Sequence, residues 1–267
     1  IGMIYRIPLT HILGDDGNGY YSTANEIYTI ILMISSFSLP LAVSRLVAER
    51  EYAGEVQNSY RVLICSLRFA AVTGGILSIL TFLLGGVITK YVMGVELASY
   101  ALRVLAPAIF LFALTGVLRG FFQGHGTMVP TAVSKIIEQI INAIVSVAGA
   151  YVMLQYGLKL GEKKGDAELG TALAAAGGTF GTVASVGVAL LFMIVIYLGY
   201  RNGFKRRMKK DKTRRRESDR AIYRAITYTI LPIVLSTLVY NLSTLIDQGV
   251  FNHLLAGMGF TQTPYAT

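Results

Sequence analysis

Residues 169 to 200 read LGTALAAAGGTFGTVASVGVALLFMIVIYLGY, without a charged side chain, and residues 201 to 216 continue as RNGFKRRMKKDKTRRR. About 20 apolar residues carry a helix across the hydrocarbon core of a bilayer, so the first stretch reads as a membrane span. The second reads as its anchor, because Lys and Arg beside a span mark the side that stays in the cytoplasm. Residues 201 to 224 hold twelve Lys or Arg against three Asp or Glu, and that excess of nine equals the net charge of the whole chain, +9. The rest of the chain is neutral, so the basic character is a topology signal and no nucleic-acid partner is expected. Anionic lipid headgroups are the partner that suits residues 201 to 224, since juxtamembrane basic clusters are drawn to such surfaces.

The pattern repeats outward from that stretch. Only 15% of the 267 residues are charged and 54% are hydrophobic, whereas ordinary globular domains carry roughly 25% charge. A soluble enzyme is excluded on that ground. Complete spans are expected near 24 to 47, 61 to 90, 97 to 121, 128 to 155, 168 to 199 and 221 to 250. Residues 1 to 13 read as the end of an earlier span, and the chain stops at Thr267 as another element begins. The expectation is therefore an all-α, polytopic bundle that is an internal piece of a larger transporter. Alternation places the loops near 48 to 60 and 119 to 129 on the basic side, flanked by Arg45, Arg50, Arg61 and Arg119. The opposite loops, 9 to 24 and 91 to 99, hold no Lys or Arg.

Laid on itself with an offset of 242, the chain matches Leu9 to Gly14 with Phe251 to Ala256, Gly17 with Gly259 and Ala24 with Ala266. Six spans separate the copies, which makes the repeat parallel, as in two-lobed transporters. Residues 1–200 are then one six-helix lobe, 201–221 a basic cytoplasmic inter-lobe loop, and 222–267 the first helix of a second lobe with the start of the next. Gly177, Gly181 and Ser185, four apart, read as a close helix contact. Pro40, Pro107 and Pro232 fall inside spans, where each removes a backbone donor and can kink the helix.

Reactive chemistry is sparse. One cysteine, Cys65, leaves no disulfide or thiolate metal site, and His11, His125 and His253 share no ligand spacing. From Asp15 an EF-hand would place ligands at Gly17 and Gly19, which have no side-chain oxygen; the segment Gly14 to Gly19 reads as a tight turn. No catalytic set, metal or cofactor is expected, and no enzymatic activity.

Polar residues inside spans carry the functional expectation, because a charge at mid-bilayer costs about 2.5–3.5 kcal/mol on insertion scales. Asp247 closes a stripe with Ser236, Tyr240, Ser243 and Thr244, which lines a wet cavity or sits at an outer helix end. Ser134, Glu138, Asn142 and Ser146 form a second stripe that must face other helices or a cavity; bonding between helices, with Lys135 or Arg119 as partners of Glu138, is its leading role. Arg6 and Glu26 are an ion pair or two walls of a cavity. Arg68 and Arg103 lie near span ends and snorkel.

Three stretches resemble a known family: Gly2 to Leu9 with Gly14 to Tyr20, Leu39 to Glu49, and above all Leu118-Arg119-Gly120-Phe121-Phe122-Gln123-Gly124 with Met128, Pro130-Thr131-Ala132, Ser134 and Glu138-Gln139. Leu245-Ile246-Asp247 fits as well. The chain is similar over nearly its whole length to Gram-positive polysaccharide biosynthesis proteins of the stage V sporulation protein B type. These belong to the multidrug/oligosaccharidyl-lipid/polysaccharide exporter (MOP) superfamily, with the MurJ-type lipid II flippases. The resemblance implies a two-lobed, MATE-like fold around a central cavity in the bacterial cell membrane. It also implies alternating-access flipping of an undecaprenyl-pyrophosphate-linked saccharide, coupled to a cation gradient or the membrane potential. Arg6 is then the headgroup candidate, with Glu26 and Asp247 for ion coupling or charge balance. Lipid II flippases place several cavity Arg in the first, second and eighth helices; here the eighth is almost absent and the second offers Glu26 and Arg45. A cation-coupled multidrug antiporter is the alternative.

Overall fold

A computed structural model describes residues 2–164, 168–211 and 216–257. They form long helices with no strand among them: α1 (Gly2–Leu32), α2 (Leu39–Tyr52), α3 (Val56–Val87), α4 (Ala98–Gly124), α5 (Val129–Lys164), α6 (Glu168–Lys210) and α7 (Asp219–Gly257). Short π-helical turns, Met33–Phe37 and Ile88–Val92, join α1 to α2 and extend α3. Among the described residues five stretches are long and apolar enough to cross a membrane: Tyr5–Tyr52, Val56–Val92, Ala98–Gly124, Val129–Gly161 and Glu168–Lys210; α7, which covers the span expected near 221 to 250, is not one of the five.

The first of these is a hairpin. Gly14 has φ 66° and ψ −174°, a left-handed value that suits glycine. Tyr5 and Tyr21 lie near enough across it for their side chains to interact, yet in one straight helix 16 residues would set them about 24 Å apart. Leu9 and Tyr21 likewise both border Gly178 of α6. The chain therefore reverses at Gly14, and the segments before and after it run side by side. The expected loop over 9–24 is corrected to this single residue. Asp15 and Asp16 open the returning helix, where carboxylates favour the positive end of the helix dipole.

α4 forms the hub. Ala101, Leu102, Leu105, Ala108, Ile109 and Ala113 are all fully buried. Its Gly116, Gly120 and Gly124 receive Pro40, Val43 and Val47 of α2, and a Cβ at Gly120 would lie 2.6 Å from the Pro40 carbonyl oxygen. α5 and α6 approach more closely still: Gly149 abuts Gly177 backbone to backbone, and Gly181 abuts Ser146. The expected packing role of Gly177, Gly181 and Ser185 holds, Ser185 being 1% exposed. On the outer faces Val72, Ile76, Ile79 and Leu83 of α3 and Ile136, Ile140 and Ile144 of α5 are exposed, as surfaces solvated by lipid tails must be. Of the three prolines, Pro40 begins α2 just after a π-helical turn, while Pro107 and Pro232 lie within continuous helices.

The stretch 201–210, expected as part of a loop, is helical and completes α6. Arg, Lys and Met are strong helix formers, cations suit a helix C-terminus, and Phe204 anchors the extension, 3% exposed and 5.6 Å from the ring of Phe121. The break between α6 and α7 lies within 211–218 instead. Gly259 and Ala266 of the internal match lie outside the described residues.

Candidate functional site

The α5 stripe points inward, with Ser134 and Ser146 fully buried and Glu138 8% exposed. At the basic end Arg119 of α4, 3% exposed, donates Nε to Ser134 Oγ (2.9 Å) and Nη2 to Glu138 Oε2 (2.7 Å). Lys135 Nζ donates to the other carboxylate oxygen at 3.2 Å. Two cations thus share one anion. An isolated charge here would bear its desolvation cost unpaired, and the pairing with an extra hydroxyl offsets part of that cost.

One turn along α5, Asn142 Nδ2 donates to Tyr5 Oη (3.1 Å), while its Oδ1 accepts from Ser146 Oγ (3.0 Å) and Thr182 Oγ1 (3.5 Å). On the returning arm of the hairpin Asn25 Nδ2 donates to the Tyr21 carbonyl at 3.0 Å. A ladder of polar groups therefore runs from Arg119 through α4, α5 and α6 to Tyr5 on the first arm of the α1 hairpin, next to Arg6 in the chain. Arg119 and Glu138, structural or coupling candidates from the sequence, meet between α4 and α5, and Asn142 meets Tyr5 of α1 and Thr182 of α6.

Arg6 is exposed and Glu26 half-buried, and the two are not joined in a salt bridge among the described residues. Asp247 is exposed on α7, which packs against α2, α3 and the turn Met33–Phe37, so the structure brings it to the ladder by no described contact. Ser236 is also exposed; the side chains of Tyr240, Ser243 and Thr244 lie outside the described residues. Tyr5, Tyr21 and Thr182 escape a sequence reading because hydroxyls inside apolar runs look like ordinary span residues, and Tyr5 meets Asn142 across 137 positions.

A second polar layer ties the basic end together. Glu51, in the last turn of α2, accepts from Arg207 Nη2 at 2.6 Å and lies 3.2 Å from His125 Nε2. The other ring nitrogen of His125 is 2.8 Å from the Phe121 carbonyl, to which it must donate. Arg50 pairs with Glu217 at 2.7 Å, and Glu217 N donates to Asn58 Oδ1 at 3.1 Å. Arg61 bonds Asp219, which stands ahead of the apolar part of α7; that hydrogen bond holds the carboxyl below its ordinary range, so the clasp weakens only when acid protonates it. The α2–α3 turn thus holds both the α6 extension and the start of α7. Glu51→Gln is expected to speed tryptic cleavage within 201–216 several-fold in detergent without changing helix content; equal cleavage rates would show that Glu51 does not anchor the extension.

A family model described as polysaccharide biosynthesis protein matches residues 1–260. The chain belongs to that family. Among curated proteins it is 26% identical over 259 residues to stage V sporulation protein B of Bacillus subtilis, covering 97% of this chain and 47% of that protein. It is 28% identical over 163 residues to the lipid II flippase MurJ of the same organism, covering 58% of this chain and 30% of that one. The chain spans about half the length of the curated relatives it matches, or less. A MATE family multidrug resistance transporter of the MOP superfamily, solved in an inward-facing conformation, superposes with a TM-score of 0.68 at 19% identity over 94% of this chain and 56% of that one. At that identity the likeness concerns the fold. This polysaccharide biosynthesis family member is accordingly a multi-pass protein of the bacterial cell membrane with a MATE-like helical architecture.

Proposed function

We propose that this chain forms one lobe of a transporter that flips a polyprenyl-pyrophosphate-linked saccharide, such as lipid II or a polysaccharide precursor, from the cytoplasmic to the outer leaflet by alternating access. The observation that carries the reading is the state of Arg6. Arg50, Arg119 and Arg207 each hold a carboxylate, whereas Arg6 is exposed and in no salt bridge among the described residues. A permanently charged, planar donor fork left unneutralised in the first helix is suited to a pyrophosphate. The ladder behind it supports the α1 hairpin through Tyr5. Family membership and the name of the MurJ relative agree with a lipid-linked saccharide as cargo.

In this reading the protein performs no covalent chemistry and needs no cofactor. Glu26 and Asp247 serve ion coupling or charge balance, driven by a cation gradient or the membrane potential, and residues 201–224 lie at the cytoplasmic headgroups.

The test is complementation, by the full-length parent gene, of a bacterium depleted of its essential lipid II flippase, with Arg6→Ala at matched expression. Rescue by the parent and failure of the variant are expected. Equal rescue by both would remove Arg6 from the mechanism. Failure of a well-expressed parent would move lipid II behind other polyprenyl-linked saccharides, and drug efflux dependent on Asp247 but indifferent to Arg6 would favour the multidrug antiporter.

A further inference from the structure

A cavity of about 670 Å³ opens at the basic end between α3, the extension of α6 and the start of α7. Arg61, Arg68, Lys205, Lys209 and Arg216 line it, with Asp219 as its one carboxylate among the described residues. Arg61 and Arg68 are committed to Asp219. Lys205, Lys209 and Arg216 are exposed and in no ion pair among the described residues. Tyr60, Ile64 and Met208 supply apolar wall, so the charge surrounds a space with a greasy side rather than open water.

The surface below the cavity is equally specific. Arg68, Val72, Ile76, Ile79 and Leu83 follow one another at spacings of three or four on α3, which places them on one face. All five are exposed, Val72 at 60% and Leu83 at 64%. The stripe starts at a cation on the cavity rim and descends as unbroken hydrocarbon into the bilayer. A free anion would use the cations and leave the stripe unused. An amphiphile with an anionic head and acyl chains uses both.

We infer that this cavity is a discrete binding site for the phosphodiester headgroup of an anionic glycerophospholipid, whose acyl chains lie along the Arg68–Leu83 face of α3. The bound head would bridge α3, α6 and α7, clasping the segment where the next helix begins. The site rests on the membrane reading of the chain and is independent of the transport proposal. It differs from diffuse attraction to a charged leaflet in having particular walls.

The experiment is native mass spectrometry of the full chain, released from detergent, with phosphatidylglycerol titrated in. Lys205→Gln/Lys209→Gln removes two cavity cations; Arg206→Gln/Lys210→Gln removes the same charge from exposed positions of the same helix that do not line the cavity. The first pair is expected to weaken the tightest phosphatidylglycerol binding about 30-fold, from the usual contribution of a juxtamembrane cation, and the second less than three-fold. Arg68→Gln, on a different helix, is expected to weaken it about five-fold. Equal losses from the two lysine-containing pairs would overturn the discrete site. Binding of phosphatidylcholine as tight as that of phosphatidylglycerol, or displacement of the lipid by millimolar glycerol phosphate, would also overturn it, the latter making the cavity a site for free phosphate. Circular dichroism of each variant checks that the helices are intact, as expected for exposed side chains; Arg68 alone among them has a described ion pair, with Asp219, which keeps Arg61.

Discussion

Arg119→Ala is expected to destabilise the folded protein by about 3–5 kcal/mol, the usual cost of leaving the partner of a buried ion pair uncompensated. Glu138 is only 8% exposed and would keep Lys135 alone, whose side chain is about half exposed and whose bond is 3.2 Å against 2.7 Å for Arg119. Ser134 would lose the Nε donor as well. Thermal unfolding in detergent should show the midpoint fall by about 10 °C. Arg119→Lys keeps the charge but cannot serve Ser134 and Glu138 together, and should recover only part of the loss. The deciding arm is the double variant Arg119→Gln/Glu138→Gln. Removing both charges abolishes the uncompensated one, so the double variant should be more stable than Arg119→Ala. If its loss equals the sum of the two single losses, Arg119 and Glu138 are not a coupled pair.

Gly177→Val should be the other severe change, and for a steric reason. A Cβ at this position falls within contact of the Gly149 carbonyl and 2.8 Å from the Met153 Cβ. The obstacle is main chain, which cannot rotate away, so α5 and α6 must separate along their length. Overpacking usually costs about 1–3 kcal/mol; here the separation also strains the bond from Thr182 of α6 to Asn142 of α5. The expected result is little monodisperse protein after detergent extraction. Gly199→Ala and Gly203→Ala, on the same helix with nothing within 4 Å of the new Cβ, should be neutral or slightly stabilising, since alanine favours a helix interior over glycine. Normal yield of Gly177→Val would mean that the α5–α6 contact is looser than its geometry.

The same contact makes a functional point. The polar ladder exists because α5 and α6 come close enough for Asn142 to reach Thr182, and because the α1 hairpin brings Tyr5 to Asn142. Gly149, Gly177 and Gly181 are therefore part of how the polar site is assembled, although they have no side chain with which to touch a polar partner.

Much of this was legible in the amino-acid order, because the bilayer constrains a chain locally. A span must be about 20 residues long, its flanking charge marks a side, and polar groups within it cannot face lipid; each rule acts within one helix. Hence the spans, the inward stripe Ser134-Glu138-Asn142-Ser146 and the tight Gly177-Gly181-Ser185 row follow from spacing alone. Only the tertiary structure decided what each polar group meets. Glu138 takes Arg119 and Lys135 together, Asn142 takes Tyr5, Glu51 takes Arg207, and Arg6 takes no carboxylate among the described residues, choices made between residues 100 or more positions apart in several cases. The sharpness of the turn read over Gly14 to Gly19 and the helical run to Lys210 were decided there too: the first because one left-handed glycine, Gly14, reverses the chain and leaves Asp15 onward helical, the second because Phe204 finds an aromatic socket that no local pattern of charge reveals.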